Sequence, residues 1–568
     1  MLGLPQRLLI GLTVTSGLTG CPQPVTEPTA PAVQTTPAPP VQPPAAPPPP
    51  PPSANTVVRP GTVDLNRAPP TQESTRWAPD ALCPGCDVVM VSVCSLRSDH
   101  VGAYGGTAST TPAMDQLALK GVRFNQAYAG ANFTLGSLAT MLTGQFGSST
   151  GVLNWGRGLP GNHRTVPEIL GLFGYRTGAF SVDAATGFRP DYGLDRGFQR
   201  MRIIEPPRDT PDGRHLDEEL GSGGATAQPL AEWLTTQPTD APVFAMLHTR
   251  SAHFPFVVDK RGVETDRTGV RQALWDEGSG HRHRPTDRAM PGKAGGQHRS
   301  GLVQVGALTI QRTVRDAGAQ GVSVWRETYA ESVSRTDKDI QVVLDAIEQR
   351  GKPTVVIVLA DHGETLDDNN ELLHGAGFYE SVVRVPLMIH VPGLPSTQPI
   401  NALVSQVDLL PTIAELVGVT PPEQIDGVSL VPLLTGTSES VRSTVLVEGG
   451  PAWQGHGTLP GAVVSPPWTL LEQSFLCTPT DTQPPPPPPG EPLHDNLLHT
   501  CLFNLDSDPG QLTNLADEHP DVVEQLRARW TGFRNARAGK SLPRDLRLDA
   551  SMIEMLQRTG YDFRSEGE

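Results

Sequence analysis

The sequence predicts an α/β fold built around a mostly parallel central sheet. Three observations predict it. Runs dominated by apolar and β-branched residues recur at Val88–Val93, Val243–Leu247 and Thr354–Leu359. Strands without polar alternation are covered on both faces, as in parallel sheets. Helical stretches alternate with these runs at the spacing of βαβ units. Finally, Asp361 and His362 directly follow the most hydrophobic run, and open α/β sheets place their ligands beyond the carboxyl ends of strands.

In chain order, residues 1–20 read as a targeting segment. Arg7 precedes a short apolar run through Val14, too short to span a bilayer. The run ends in Leu18-Thr19-Gly20-Cys21, which resembles the lipobox of bacterial lipoproteins. That resemblance implies cleavage before Cys21, lipidation of its sulfur, and a membrane anchor facing the periplasm or cell surface. Residues 21–78 are dominated by Pro, Ala, Thr and Val and include the run Pro47–Pro52. Such a segment cannot bury a core and favours extended polyproline II, so it reads as a disordered spacer. Residues 79–438 carry the strand and helix alternation. Helices are expected at Pro112–Lys120 after Thr111, at Leu135–Leu142, at Val166–Phe173 and at Glu327–Gln349. The stretch 259–320 is polar and weakly periodic and reads as an insertion. Residues 439–540 read as a small α+β subdomain ending in a helix at Pro520–Arg537, and 541–568 as a tail.

Bulk composition narrows the function. The chain has 568 residues, 37% hydrophobic, with a formal net charge of -16. An acidic balance gives no support for nucleic-acid binding, which requires a cationic surface. Six cysteines are present. Export permits disulfides. Cys83-Pro84-Gly85-Cys86 reads as a tight disulfide, with a redox pair or half a zinc site as the other readings, and Cys477 and Cys501 form a second candidate pair. Cys94 is left over.

The chemistry concentrates at Ala360-Asp361-His362-Gly363-Glu364, where Asp and His offer two metal ligands on one turn. Around it stand VVMVSVCSLRSDHVGAYGG (88–106), TPAMDQLALKGVRFNQAYA (111–129), TLGSLATMLTG (134–144), GYRTGAF (174–180), HTRSAHFPF (248–256), YAESVSRTDKDI (329–340), VLADHGETLDDNNELLHGAGFYESVVRVPLMIHVPG (358–393), VSQVDLLPTIAELVGV (404–419) and CLFNLDSDPGQLTNLADEHP (501–520). In this order, over about residues 87–537, the set resembles the sulfatase family of the alkaline phosphatase superfamily.

The resemblance implies an alkaline-phosphatase-like three-layer sandwich and a site with one divalent metal ion. It places Thr134 at the nucleophile position and Asp361 and His362 at the metal pair. His253 faces the substrate, and His374 serves the substrate or leaving group. His248, Arg97 and Asp99 read as structural. An ordinary N-cap is the bland role for Thr134.

Two departures stand out. The family has an aspartate ligand where this chain has Cys94. A thiolate suits zinc better than calcium or magnesium, so zinc or manganese is favoured, with calcium the harder-ion alternative. A small buried apolar role for Cys94 is the competing reading. Sulfatases proper carry C/S-x-P-x-R, oxidised to formylglycine, whereas this chain reads Thr134-Leu135-Gly136-Ser137-Leu138. No formylglycine is expected, and unmodified Thr in the family goes with phosphoester or phosphonoester chemistry. The expected function is a metal-dependent hydrolase of sulfate or phosphate/phosphonate esters at the cell envelope, acting on a small molecule or glycan. The rivals are a phosphoryl-group transferase on envelope glycans and a catalytically degenerate, lipid-anchored binding protein.

Overall fold

The computed structural model describes residues 80–537 and 544–545, apart from 183–186, 205–225, 257, 259, 279–303, 375–376, 397, 450–459, 475–476 and 478–498. The expected signal peptide, the Cys21 lipidation site, the whole Pro-rich linker and most of the tail lie outside the described residues. So does the middle of the 259–320 stretch.

The strands are β1 (Asp87–Val93), β2 (Val122–Tyr128), β3 (Arg157–Gly158), β4 (Arg176–Val182), β5 (Arg200–Ile204), β6 (Val243–Thr249), β7 (Thr354–Ala360), β8 (Arg384–His390), β9 (Ile400–Ser405), β10 (Val445–Glu448), β11 (Gly461–Ser465), β12 (Trp468–Ser474), β13 (His499–Asn504) and β14 (Arg544–Asp545). Eight of them form one sheet in the order β5-β4-β6-β1-β7-β8-β2-β9. All pair in parallel except β8, which runs antiparallel to both β7 and β2. The mostly parallel sheet is therefore observed. In β1, β6 and β7 every residue is buried, so both faces are covered. That is why these strands read as unbroken apolar runs.

Helices Pro112–Lys120 and Val166–Leu172 form where they are expected, and a further helix spans Leu409–Val417. Thr165 and Glu168 close a capping box on the second of these. One helix is longer than its periodicity suggests. Gly318–Arg350 starts nine residues before Glu327, because Gly318 and Gly321 dilute the apolar pattern of its first turns. Gly321 faces the carbonyl of Val314 at 2.3 Å from a notional Cβ, so a close approach of the preceding helix demands it. The weakly periodic stretch also holds helices at Lys260–Thr265, Val270–Gly278 and Gln304–Asp316. Buried residues four apart (Val270 with Leu274, Ile310 with Val314) anchor two of them.

Strands β10 to β13 form a second, antiparallel sheet. Helix Pro520–Arg537 packs on it through Val523, Leu526 and Trp530. Disulfides join Cys83 to Cys86 and Cys477 to Cys501. Cys94 lies outside any disulfide and is buried.

Candidate functional site

Four carboxyl-terminal strand ends converge. Cys94 follows β1, His248 ends β6 with His253 just beyond, Asp361 and His362 follow β7, and Thr134 opens the helix reached from β2. Strands β6, β1 and β7 are adjacent, so their ends meet at one rim.

Thr134 is the first residue of helix Thr134–Thr143, whose N-cap is Phe133. The capping role is thereby corrected: no side-chain cap bond forms there. Instead Thr134 Oγ1 lies 3.3 Å from His362 Nε2 and 3.4 Å from Cys94 Sγ. The hydroxyl sits at the helix's positive end, where backbone N–H groups favour an anion. Gly136 is required by packing, because a Cβ there would meet Ala131 and the Phe133 ring at 2.7 Å. Leu138 is fully buried in the core. The two positions where formylglycine-forming sulfatases carry Pro and Arg are thus built into apolar packing.

Cys94, Asp361 and His362 bring one ligand atom each within 4.8 Å of one another, all buried. Their placement is tightly determined. Asp361 Oδ1 accepts the main-chain N–H groups of Ser95 (3.0 Å) and His362 (2.7 Å). Asp361 Oδ2 is buried and has no hydrogen-bond partner. A buried, unpartnered carboxylate oxygen is costly unless a cation completes it. His362 Nδ1 is 2.8 Å from the Gly363 carbonyl. That nitrogen carries the proton, so the Nε2 lone pair faces Thr134 and the other ligand atoms. Gly363 is obligatory: a Cβ would lie 2.0 Å from the Ser381 carbonyl.

The turn after β1 is equally constrained. Ser95 has φ 60, in the left-handed region a non-glycine residue rarely adopts. The buried Tyr329 hydroxyl holds it, donating to the Ser95 carbonyl (2.7 Å) and accepting from Arg97 N–H (2.9 Å). Arg97 pairs with Asp99 and Asp368 and donates to the Glu364 carbonyl at 3.1 Å. Arg97 and Asp99 therefore act structurally, as expected.

The electrostatics match a cation site. Burial, then the Asp361 charge, pushes the Cys94 thiol well above its usual range. The thiol forms a thiolate only when a cation compensates. Burial alone raises the Asp361 carboxyl, but His362, His248 and the two N–H donors outweigh it and keep it ionised. Burial lowers His362, so the ring is neutral and fit to be a ligand. The donor set therefore fits a divalent ion. One thiolate, one carboxylate and one imidazole suit a borderline ion such as zinc.

The remaining predicted residues line the same rim. The His374 ring centroid is 4.2 Å from that of His362 and 4.9 Å from that of His253. Burial lowers His374 to about 3, and burial followed by Arg250 lowers His253 well below its usual value.

Several participants escaped sequence reading. His248, taken as structural, brings Nε2 to 3.9 Å from Asp361 Oδ2. Arg250 places Nη2 3.0 Å from His253 Nδ1. Both of their signals lay in HTRSAHFPF beside His253. Gln406 ties the site together, donating to the Ala360 and Asp361 carbonyls (2.8 and 2.7 Å) and accepting from Gly130 N–H at 2.8 Å. Nothing local marks it out. Glu364 bonds His374 and adjoined the recognised Asp-His-Gly triple.

Comparison with known proteins agrees with this geometry. The sulfatase family model matches residues 87–419. A delta 4,5-hexuronate-2-O-sulfatase of Bacteroides thetaiotaomicron is 25% identical over 446 residues, covering 74% of this chain and 84% of its own. Arylsulfatase A of Bos taurus is 27% identical over 475 residues, covering 77% and 85%. Among solved structures, the phosphonate monoester hydrolase of Agrobacterium radiobacter superposes with TM-score 0.60 at 19% identity, covering 82% of this chain and 98% of its own. The chain belongs to the sulfatase family of the alkaline phosphatase superfamily, and is an ester hydrolase.

Proposed function

We propose that this hydrolase cleaves phosphate or phosphonate esters, and sulfate esters less readily, with Thr134 as nucleophile and zinc or manganese as its ion. The observation that carries the reading is the Thr134 hydroxyl at a helix start, 3.3 Å from His362 Nε2 and 3.4 Å from Cys94 Sγ. Cys94, Asp361 and His362 would hold the ion, which when bound acidifies a hydroxyl and offsets charge on non-bridging oxygens.

The chain's own residues supply the rest. Helix 134–143 aims Oγ1 and its N–H groups at the reacting group. Oγ1, its hydroxyl proton already released to solvent, bonds as the alkoxide to phosphorus or sulfur in line as the bond to the leaving oxygen breaks, and is the alkoxide released again when water opens the ester. His374 protonates that oxygen, and His253 with Arg250 holds the substrate's charged oxygens. Water then cleaves the threonyl ester, returning a proton to His374.

Thr134 cannot become formylglycine, and Gly136 and Leu138 stand where formylglycine-forming sulfatases carry Pro and Arg, which supports phosphorus over sulfur. Relatives acting on glycan sulfates support an anionic glycan or small-molecule ester as the substrate class. The Leu18–Cys21 motif supports a lipid anchor at the cell envelope. Two experiments test this. A panel of 4-nitrophenyl phosphate, bis(4-nitrophenyl) phosphate, phenylphosphonate and sulfate esters is assayed with metal analysis of the purified protein. The expected outcome is about one zinc or manganese per chain and the highest kcat/KM on a phosphorus ester. A protein that folds metal-free and turns over nothing contradicts the proposal. Cys21→Ser is expected to move the protein from the membrane to the soluble fraction; continued pelleting removes the anchor.

A further inference from the structure

We propose that Glu364 is a positioning residue for the leaving-group acid. Its carboxylate fixes the His374 ring in the one tautomer and orientation from which the opposite nitrogen delivers a proton. The inference rests on His374 serving the leaving oxygen, as proposed above.

Glu364 is fully buried. Both of its carboxylate oxygens lie 3.1 Å from His374 Nδ1. The Thr365 N–H also donates to Oε1 at 3.2 Å. The nearby Arg97 guanidinium bonds the main-chain carbonyl of Glu364, not its carboxylate. Among the described residues no lysine or arginine forms an ion pair with that carboxyl group, and His374 is the side chain that bonds it. A buried carboxylate is costly without a cationic or strong hydrogen-bonding partner, and the imidazole is the partner this one has.

The backbone is bent to make the pair. Ten residues separate Glu364 from His374, and a narrow hairpin closes between them. Leu366 and Leu372 form an antiparallel bridge, the Leu373 N–H donates to the Thr365 carbonyl at 3.3 Å, and the Thr365 hydroxyl bonds the Leu373 carbonyl. Asp367, Asn369, Asn370 and Leu373 all take left-handed φ angles. Such conformations cost energy and persist where the surroundings impose them. Their result here is the return of His374 to Glu364.

The chemistry follows from which nitrogen is engaged. The Glu364 carboxyl group engages Nδ1, and the proton exchanged with substrate is assigned to Nε2. The carboxyl group holds the ring's direction. As the bond from phosphorus or sulfur to the leaving oxygen breaks, the electron pair stays on that oxygen and takes the Nε2 proton. Nδ1–H remains on the ring. In the second half Nε2 recovers a proton from the water that opens the threonyl ester.

A series of substituted phenyl esters of methylphosphonate and of sulfate tests this, with Glu364→Gln, Glu364→Asp and His374→Ala compared with wild type. A poor leaving group needs the proton and a good one does not. Glu364→Gln is expected to lower kcat on the unsubstituted phenyl ester about 100-fold and on the 4-nitrophenyl ester about threefold or less, with KM little changed. Glu364→Asp is expected to recover part of the loss, and bound metal per chain to stay constant in all variants. His374→Ala should show the same steepened dependence on the leaving group. A uniform loss across the series, or no loss, in folded Glu364→Gln overturns the inference. If His374→Ala is steep while Glu364→Gln is flat, only the role of Glu364 falls. If both are flat, the role of His374 falls with it, and a wild type inert on both series removes the hydrolase reading as well.

Discussion

The two walls of the site are built differently. On the wall proposed to hold the ion, the key atoms are fixed by the main chain: Asp361 takes two backbone N–H groups, His362 donates to a backbone carbonyl, and Ser95 is locked left-handed beside Cys94. On the wall proposed to face the leaving group, side chains hold side chains: Glu364 holds His374, and Arg250 touches His253. The difference teaches where precision is needed. An ion demands fixed distances, and backbone groups on buried strands supply them. A proton donor has to reach substrates of varied shape, and a hairpin can carry it.

If this contrast is right, changes on the first wall act on the chemistry as a whole. Thr134→Ala should lower kcat by roughly a thousandfold or more while secondary structure and bound metal persist, as circular dichroism and metal analysis would show. Retained turnover breaks the account of that wall. Cys94→Asp acts on the same wall more gently. It exchanges a soft donor for a hard one, so the ratio of manganese to zinc affinity should rise about tenfold or more, measured by competition titration. An unchanged ratio means that the thiol does not touch the ion.

Much of this was legible before folding. Strands β1, β6 and β7 announced themselves because burial on both faces leaves no polar alternation. Cys94, Thr134, Asp361 and His362 were found because each directly follows a strand or opens a helix within a recognisable motif. Glu364 was passed over although it adjoins His362, because its meaning depends on a hairpin whose left-handed residues carry no glycine signal. Gln406 and Tyr329 act over spans of the chain that only the fold closes. The start of helix Gly318–Arg350 was missed because glycines needed for close helix approach mimic a loop.

The smallest expected effect concerns the buried Asp339, which accepts from the Ser251 hydroxyl at 3.4 Å. Burial raises the Asp339 carboxyl to about 7 in the folded protein. Below the unfolded value of 3.8 both states are protonated and the carboxyl costs nothing. As pH rises the unfolded chain ionises first, so stability falls until the folded pKa is passed, and above it the full loss remains. Asp339→Asn cannot ionise. It should therefore come closest to wild type near pH 3 and exceed it at pH 8, read from Tm at the two pH values. An equal difference at both would remove the titration as its cause.

The central claim is that Thr134 carries the reacting group. A slowly turned-over phosphonate aryl ester, quenched in acid during the steady state and digested, allows the peptide spanning Thr134 to be weighed. The account predicts a phosphonyl adduct on Thr134 that is absent from Thr134→Ala. Turnover with that peptide unmodified, or an adduct on Cys94 in its place, would contradict it.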